Sequence, residues 1–328
     1  MKIDLRACVK GILQGTLPPR PLFLPIVFSH AARIENLPLP AFLSNPTKIM
    51  QSLRQLRSYL RSDGVTCYFD PFLEAEALGA ILQWGSGAQP SIRWPHDPLN
   101  GDLPAADEIP KRGRIPVAVE VIRRMKSLLR DDSLLTIGLS GTLALAAKLA
   151  PPAPHTGAAQ EISASAIAIA SAAVTPIATA FLEAGANVIF LLEDLLPAAE
   201  NLSDWASHLA TTLNIIRFYE ALPVLLLNCG PETLPSILQL SLDCVVCPVA
   251  RESLSPSLEK IEKPSPANFG IAISVSAGPG APPRAEISTE TLCRLVSESH
   301  PALITTSGDV PDAMDLKDLN KLRDALMA

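Results

Sequence analysis

The feature that most constrains the fold of this chain is a repeated alternation of short apolar runs with longer segments of helical period. The apolar runs are rich in branched aliphatic residues and have the length of buried strands. There are eight of them: Leu22 to Phe28, Val65 to Phe69, Leu134 to Leu139, Val188 to Leu192, Val224 to Leu227, Cys244 to Val249, Ile271 to Val275 and Ala302 to Thr306. The helical patterns between them include Pro46 to Arg61, Val117 to Arg130, Ile162 to Ala184, Asp204 to Glu220 and Glu232 to Leu240.

Eight strand and helix repeats predict an α/β fold, a (β/α)8 TIM-type barrel with its functional groups on the loops that follow the strands. The length of 328 residues suits one barrel, so we expect a single domain over residues 1–328. A doubly wound open sheet is the alternative, but no G-x-G-x-x-G fingerprint follows the first run. Residues 85–116 hold six prolines and exceed an ordinary connection. We interpret them as an extended loop over the barrel mouth, or else as a surface insertion without a function.

The composition excludes several classes of protein. Hydrophobic residues make up 48% of the chain and charged residues 18%, which is unlike a disordered chain or a strongly basic nucleic-acid binder. The net charge of −6 gives no reason to expect nucleic acid or an anionic membrane as partner. Near the N-terminus charged and apolar residues alternate without a secretory apolar stretch, so we expect a cytoplasmic protein. The apolar window from Ser163 to Leu182 is interrupted by Pro176 and predicts buried helix rather than a membrane span.

Polar residues that follow the strands of a barrel converge at its mouth, where TIM-barrel enzymes bind their substrates. Asp70 follows the second apolar run, where it can stabilise positive charge, bind a metal or simply cap the next helix. Arg33 can pair with substrate carboxylates or with Glu35. The candidate catalytic residues are Asp70, Glu193 and Asp194, and the candidate substrate-binding residues are Ser29, His30, Arg33 and Asn228.

Two cysteines also lie at or near the ends of predicted strands, and both are candidate metal ligands. Cys229 stands just after the fifth apolar run, and Cys247 lies near the end of the sixth. Thiolates on adjacent strand ends can share a zinc ion, with Asp or His completing the ligand set. The alternative is that Cys247 belongs to the core, because Cys244 to Cys247 lies within a strand pattern rather than on a turn. Disulfides are not expected from six scattered cysteines in a chain of this kind.

Five segments carry a resemblance to a known family: Pro25 to Arg33, Asp70 to Gly79, Arg112 to Val117, Gly138 to Ala144 and Pro223 to Gly230. Together they resemble the uroporphyrinogen decarboxylase superfamily, which also includes methylcobalamin:coenzyme M methyltransferases. The resemblance spans most of the chain. It implies a barrel with a deep cleft at the C-terminal ends of the strands.

The two branches of this superfamily imply different chemistry. The decarboxylases bind substrate carboxylates through an arginine-rich segment, and its counterpart Ser29 to Arg33 retains only the second arginine. Asp70 matches the aspartate that contacts their pyrrole nitrogens. Glu74 to Gly79 and Asn228 to Gly230 resemble the methyltransferases more closely. That branch implies a zinc ion, with Cys229 at one of three ligand positions, and a corrinoid such as methylcobalamin as substrate or as the cofactor of a partner protein.

Three hypotheses follow from the sequence. The first is an enzyme that moves a methyl group between a methylcorrinoid or methoxylated substrate and an acceptor. The second is a metal-free decarboxylase of tetrapyrroles in which Asp70 stabilises a protonated pyrrole. The third is a non-catalytic binding partner that retains the barrel without its chemistry.

Overall fold

A computed structural model describes residues 3–85, 90–101, 103–150, 162–197, 201–227, 234–240, 242–249, 268–276 and 284–327. Eight parallel strands alternate with helices in this structure, as the sequence predicts. The strands are β1 Leu22–Phe23, β2 Gly64–Tyr68, β3 Leu134–Ser140, β4 Val188–Glu193, β5 Leu222–Leu227, β6 Cys244–Val249, β7 Asn268–Ile273 and β8 Leu303–Thr306. The helices are α1 Leu5–Leu13, α2 Ser29–Ile34, α3 Leu39–Leu43, α4 Pro46–Tyr59, α5 Leu73–Ala77, α6 Ile115–Leu129, α7 Thr142–Leu149, α8 Ala164–Ala184, α9 Leu202–Phe218, α10 Leu234–Leu238, α11 Thr289–Ser299 and α12 Leu316–Met327.

The strands form one sheet in the order β1-β8-β7-β6-β5-β4-β3-β2, which curls into a nearly closed barrel. Asp63 bridges the seam between β1 and β2, because its backbone N–H donates to Phe23 O at 2.9 Å and its Oδ2 accepts the Phe23 N–H at 2.8 Å. The guanidinium of Arg20 donates to both carboxylate oxygens of Asp63, at 2.7 and 2.8 Å. This partly buried carboxylate joins β1 and β2 at the seam, where no continuous strand ladder links them.

Alternation along each strand divides the core into two layers. One set of side chains, represented by Phe190, Val224 and Val246, packs together inside the barrel. The intervening residues, represented by Leu191 and Val245, pack against the surrounding helices. Because side chains on a strand alternate between its two faces, position along a strand decides which polar groups face the barrel interior and which face the helices.

Helix α8 has the length and apolar character of a candidate membrane span, with a mean hydropathy of 1.8 over its most apolar window. The core helix of a soluble protein can have the same length and apolar character. In this fold α8 packs beside α7 and α9 and buries Val174, Ile177 and Phe181. Ser163 caps its N-terminus, because its hydroxyl accepts the Ala166 N–H, and the helix contains Pro176. We therefore interpret α8 as one of the helices that surround the barrel.

The strand predictions agree with the structure, and the differences lie at the ends. The first apolar run continues to Phe28, but its ladder with β8 covers only Leu22 and Phe23. The 85–116 segment contributes a hairpin strand at Ser91–Arg93, which pairs with Ile81–Gln83, and a single 3₁₀ turn at Ile109–Lys111. Trp94 anchors this segment to the barrel helices, because its Nε1 donates to the Lys148 carbonyl at 3.0 Å.

Candidate functional site

Asp70 follows β2 at the C-terminal end of the barrel and is 5% exposed. Its Oδ1 accepts the backbone N–H of Phe72 at 2.9 Å, and its Oδ2 lies 2.6 Å from Nη1 of Arg114. Arg114 also donates through Nε to Oε2 of Glu76 at 2.8 Å. The arginine therefore lies between two carboxylates of the segment that follows β2.

The electrostatics of this group are those of a buried ion pair. Burial raises the pKa of Asp70, while the Arg114 cation and the Phe72 N–H act in the opposite direction. Asp70 Oδ2 and both Nη atoms of Arg114 are buried and form no aligned hydrogen bond with a described protein group. The 2.6 Å approach is thus a charge contact without hydrogen-bond alignment. Breaking a buried pair of this kind leaves an uncompensated charge.

The turn before α6 is shaped to hold the segment after β2. Gly113 has a φ of 53°, in the left-handed region that glycine adopts freely, and a Cβ there would lie 3.1 Å from Glu76 Cγ. Arg112 on the same turn donates from Nε to the carbonyl of Ala77 at 3.0 Å. Two sequence segments that resemble the superfamily are therefore in contact with each other, one preceding α6 and one following β2.

A second polar cluster joins the ends of β2 and β3. Glu74 is fully buried, and its carboxylate accepts the Ser140 N–H at 2.7 Å and the Ser140 hydroxyl at 3.1 Å. Lys148 reaches back along α7 and donates from Nζ to Ser140 Oγ at 2.7 Å and to Pro71 O at 2.5 Å. Its ammonium also lies 5.9 Å from the centre of the Phe72 ring. Burial raises the pKa of Glu74 and lowers that of Lys148.

Glu193, a predicted catalytic carboxylate, caps the N-terminus of α7. It occupies the helix-facing register of β4 and is fully buried. Its oxygens accept the backbone N–H groups of Leu143 at 3.1 Å and Ala144 at 2.8 Å, and the indole N–H of Trp205 at 3.3 Å. Gly141 precedes this helix and has no side chain, which leaves room for the carboxylate. Burial raises the pKa of Glu193 to about 7, against the effect of these donors.

The position of Glu193 thus gives it a structural task, and a catalytic role for it stays a prediction. Asp194 is exposed beyond the end of β4. Its charge acts on Lys148 and on Glu193 through space. The two adjacent carboxylates therefore differ in environment: Glu193 points toward the helices, and Asp194 is the one with access to solvent.

The segment predicted to bind substrate after the first strand folds as α2. The Ser29 N–H and the Phe28 N–H both donate to the Asp309 carboxylate, at 2.9 and 2.7 Å. His30 is buried, and burial lowers its pKa. Arg33 is exposed, and its Nη1 donates to the carbonyl of Asp312 at 2.6 Å. The structure therefore holds this segment against the chain after β8 and does not bring Arg33 to the Asp70 and Arg114 pair.

The predicted metal ligands do not form a described site. Asn228 and Cys229 lie outside the described residues. Cys247 is fully buried in the core between the strands and the helices, in the same register as Val245. Within the ranges that the structure covers, no three His, Cys, Asp or Glu side chains come together to hold a metal ion. The described residues thus do not fit a zinc centre, and zinc stays an expectation from sequence.

Sequence reasoning did not single out Arg114 or Lys148. Arg114 lies in a segment noted only for its resemblance, and no local pattern marks it as the partner of a buried acid. Lys148 is the one charged residue in the otherwise apolar helix Thr142 to Leu149. A lone charge on such a helix predicts a polar partner in the interior, because burying an unpaired charge is costly.

Comparison with known proteins identifies the family. The family model described as uroporphyrinogen decarboxylase (URO-D) matches residues 10–246. The chain belongs to the uroporphyrinogen decarboxylase family. The suspected superfamily is thereby confirmed. No curated protein sequence matches the chain significantly.

Solved structures add support for the fold of this family member. A methyltransferase from Methanosarcina mazei superimposes with a TM-score of 0.78 at 18% identity, and the match covers 99% of each chain. A D-tagatose 3-epimerase-like protein (TM-score 0.41, 12% identity, 65% of this chain and 85% of that one) is far less similar. The same holds for a phosphonopyruvate hydrolase complex with oxalate and Mg²⁺ (TM-score 0.42, 10% identity, 99% and 84%). The first match confirms the α/β barrel, and identity this low shows the fold alone.

Proposed function

We propose that this protein is a corrinoid-linked methyltransferase, which moves a methyl group between a methylcorrinoid or methoxylated substrate and an acceptor. The corrinoid is then a substrate, or is carried by a partner corrinoid protein. We further propose that the protein works in the cytoplasm. A tetrapyrrole decarboxylase and a non-catalytic binding partner are the alternatives that the test below separates.

The observation that carries this proposal is the disposition of the arginines. Arg33, the residue expected to hold substrate carboxylates, is exposed on α2 and bonded to Asp312 O. Arg114 is already engaged by Asp70 and Glu76. A porphyrinogen carries many carboxylates and needs several available cations. Of the residues that the structure describes, these two arginines do not supply such cations at the barrel mouth. This favours the methyltransferase branch.

Two further features agree with this branch. Glu74 to Gly79, the motif that resembles the methyltransferases, is the segment that the structure places in contact with Ser140 and Arg114. The Methanosarcina mazei protein, whose structure matches over 99% of both chains, is also described as a methyltransferase. We assign to Asp70 the task of orienting the substrate, since it follows β2 where barrel enzymes bind their ligands. Arg114 fixes the position of that carboxylate.

The decisive experiment compares three activities of anaerobically purified protein. Methyl transfer is measured from methylcobalamin to a thiol and from 2-methoxyphenol to cob(I)alamin. Decarboxylation is measured as coproporphyrinogen formed from uroporphyrinogen. We expect methyl transfer, reduced about 100-fold by Asp70→Asn because the substrate is no longer correctly oriented. The control is Asp107→Asn, whose side chain is 80% exposed. Coproporphyrinogen formation would instead support the decarboxylase. Neither activity, together with stable association with another polypeptide, would support the binding partner.

Zinc is tested separately, by the metal content of wild type and Cys229→Ala. About one zinc per chain, lost in the variant, would support an acceptor activated as its anion by the metal. No zinc in either protein would remove the zinc ion from the proposal and leave methyl transfer itself to be judged by the activity assays.

A further inference from the structure

Lys148 is placed so that its ammonium reaches the C-terminal ends of two barrel strands. It lies in the last turn of α7, and its side chain points back toward the start of that helix. Nζ donates to Pro71 O, after β2, and to Ser140 Oγ, the last residue of β3. Ser140 shares its register with Gly138 and Thr136, which face the barrel interior. The ammonium is therefore held at the barrel mouth, where β2 and β3 end.

The contacts of Lys148 leave it able to act on a ligand. An ammonium has three N–H groups. Pro71 and Ser140 accept from two of them, and within the described part of the chain no protein acceptor is assigned to the third. The Phe72 ring lies 5.9 Å away and supports the cation. The residue as a whole is partly exposed to solvent, although its ammonium lies in a mostly buried environment.

Two opposing effects act on the pKa of Lys148, burial and the charges around it. The charges of four carboxylates act on it through space: Glu74 on α5, Asp194 beyond the end of β4, Asp70 after β2 and Glu193 at the end of β4. They favour the ammonium, but burial disfavours it more strongly, and the net effect is a lowered pKa. Lys148 therefore releases a proton more readily than a surface lysine, which suits a general acid.

We propose that Lys148 donates the proton to the leaving oxygen when the methyl donor is a methoxylated compound. This inference rests on the proposed function. The methyl acceptor, a reduced corrinoid, supplies the electron pair of the new bond to carbon. The pair of the broken C–O bond stays on oxygen, which takes a proton from Nζ and leaves as a neutral alcohol or phenol. The neutral amine then regains a proton from water.

The first test asks whether Lys148 presents a reactive amine, whatever the protein catalyses. Native protein is reductively methylated with formaldehyde at a series of pH values, and each lysine is followed by mass spectrometry. Lys111, whose side chain is 71% exposed, is the internal control. We expect Lys148 to react with a pH profile displaced to lower pH relative to Lys111. No reaction at Lys148, or the same profile as Lys111, overturns the proposal.

The second test uses two donors with different leaving groups and cob(I)alamin as acceptor. 2-Methoxyphenol must release a phenol that needs a proton, whereas tetramethylammonium releases a neutral amine that needs none. We expect Lys148→Met to lower kcat with 2-methoxyphenol about 100-fold or more and to change kcat with tetramethylammonium little. Lys148→Arg restores the charge but not the proton transfer, because guanidinium does not deprotonate in proteins. Lys111→Met is the control for both donors.

The pH profile separates proton donation from a structural role. For wild type, kcat with 2-methoxyphenol should fall as the pH rises and Lys148 loses its proton, and this fall should vanish in Lys148→Met. If wild type is active and Lys148→Met lowers kcat equally with both donors, or with neither, this inference is overturned. The proposed function would still stand. A wild type that transfers methyl groups from methylcobalamin, but not from 2-methoxyphenol or tetramethylammonium, also overturns this inference and leaves the proposed function standing. A wild type without any methyl transfer overturns the proposed function itself.

Discussion

Replacing Glu193 by glutamine tests the electrostatic account of the α7 N-terminus. Burial raises the pKa of this carboxyl from 4.5 to about 7 in the folded protein. As the pH rises, Glu193 loses its proton at a lower pH in the unfolded chain than in the folded protein. Because the folded state then binds more protons, the free energy of unfolding falls with rising pH. The loss begins above pH 4.5 and is complete above pH 7. Each pKa unit is worth about 1.4 kcal/mol, so the total is about 3 kcal/mol.

Glutamine at position 193 does not titrate. The free energy of unfolding of Glu193→Gln minus that of wild type should therefore increase by about 3 kcal/mol between pH 4.5 and pH 8. A constant offset of about 1–3 kcal/mol, which lowers the free energy of unfolding of the variant, is also expected. The side-chain NH₂ of glutamine would face a helix N–H and cannot accept a hydrogen bond from it. Titrating groups that do not interact with Glu193 are common to both proteins and cancel in the difference.

The measurement is urea denaturation of both proteins at closely spaced pH values, followed by circular dichroism. The pH dependence of the difference is the readout, not its absolute value. A difference that stays flat from pH 4.5 to pH 8 would refute the reasoning. It would mean that the Leu143, Ala144 and Trp205 donors hold the carboxylate ionised with its ordinary pKa, and that hydrogen bonding outweighs burial here.

Two other substitutions test the packing around the barrel mouth by chemical denaturation. Arg114→Met should lower the free energy of unfolding by about 3–5 kcal/mol, because it leaves the Asp70 carboxylate buried without its cation; the exposed control Arg33→Met should stay within about 0.5 kcal/mol of wild type. Gly141→Ala should cost about 1–3 kcal/mol, since its Cβ would overlap the Glu193 carboxyl. Gly308→Ala, where a Cβ meets no atom within 4 Å, is the matched control. Equal stability within either pair contradicts the contacts described above.

The fold was predictable from sequence because it depends on local patterns. A short apolar run of branched residues forms a buried strand, and a 3.6-residue period forms a helix, wherever the run lies in the chain. Eight alternations leave few arrangements besides the barrel. The ends were less predictable. Leu24 to Phe28 is as apolar as a strand, yet only Leu22 and Phe23 pair with β8, because ladder length depends on the neighbouring strand.

The site was predictable only in part. Asp70 could be named because it directly follows a strand, and any strand end in a parallel barrel lies at the mouth. Glu193 was named for the same reason, but alternation on β4 turns it toward α7 instead. Arg114 and Lys148 were not named, because their partners are distant in sequence. Lys148 meets Pro71 across 77 positions, a contact that no local pattern encodes.

The sequence by itself therefore determined the strands, the helices and the set of polar residues at their ends, because these follow from side-chain chemistry and short-range period. The tertiary structure alone decided which charges meet. The Asp70, Arg114 and Glu76 group and the Glu74, Ser140 and Lys148 group each join segments that are far apart in the chain. The strength of such contacts depends on distance and on exclusion of water, and both are set only when the barrel closes and its helices pack around it.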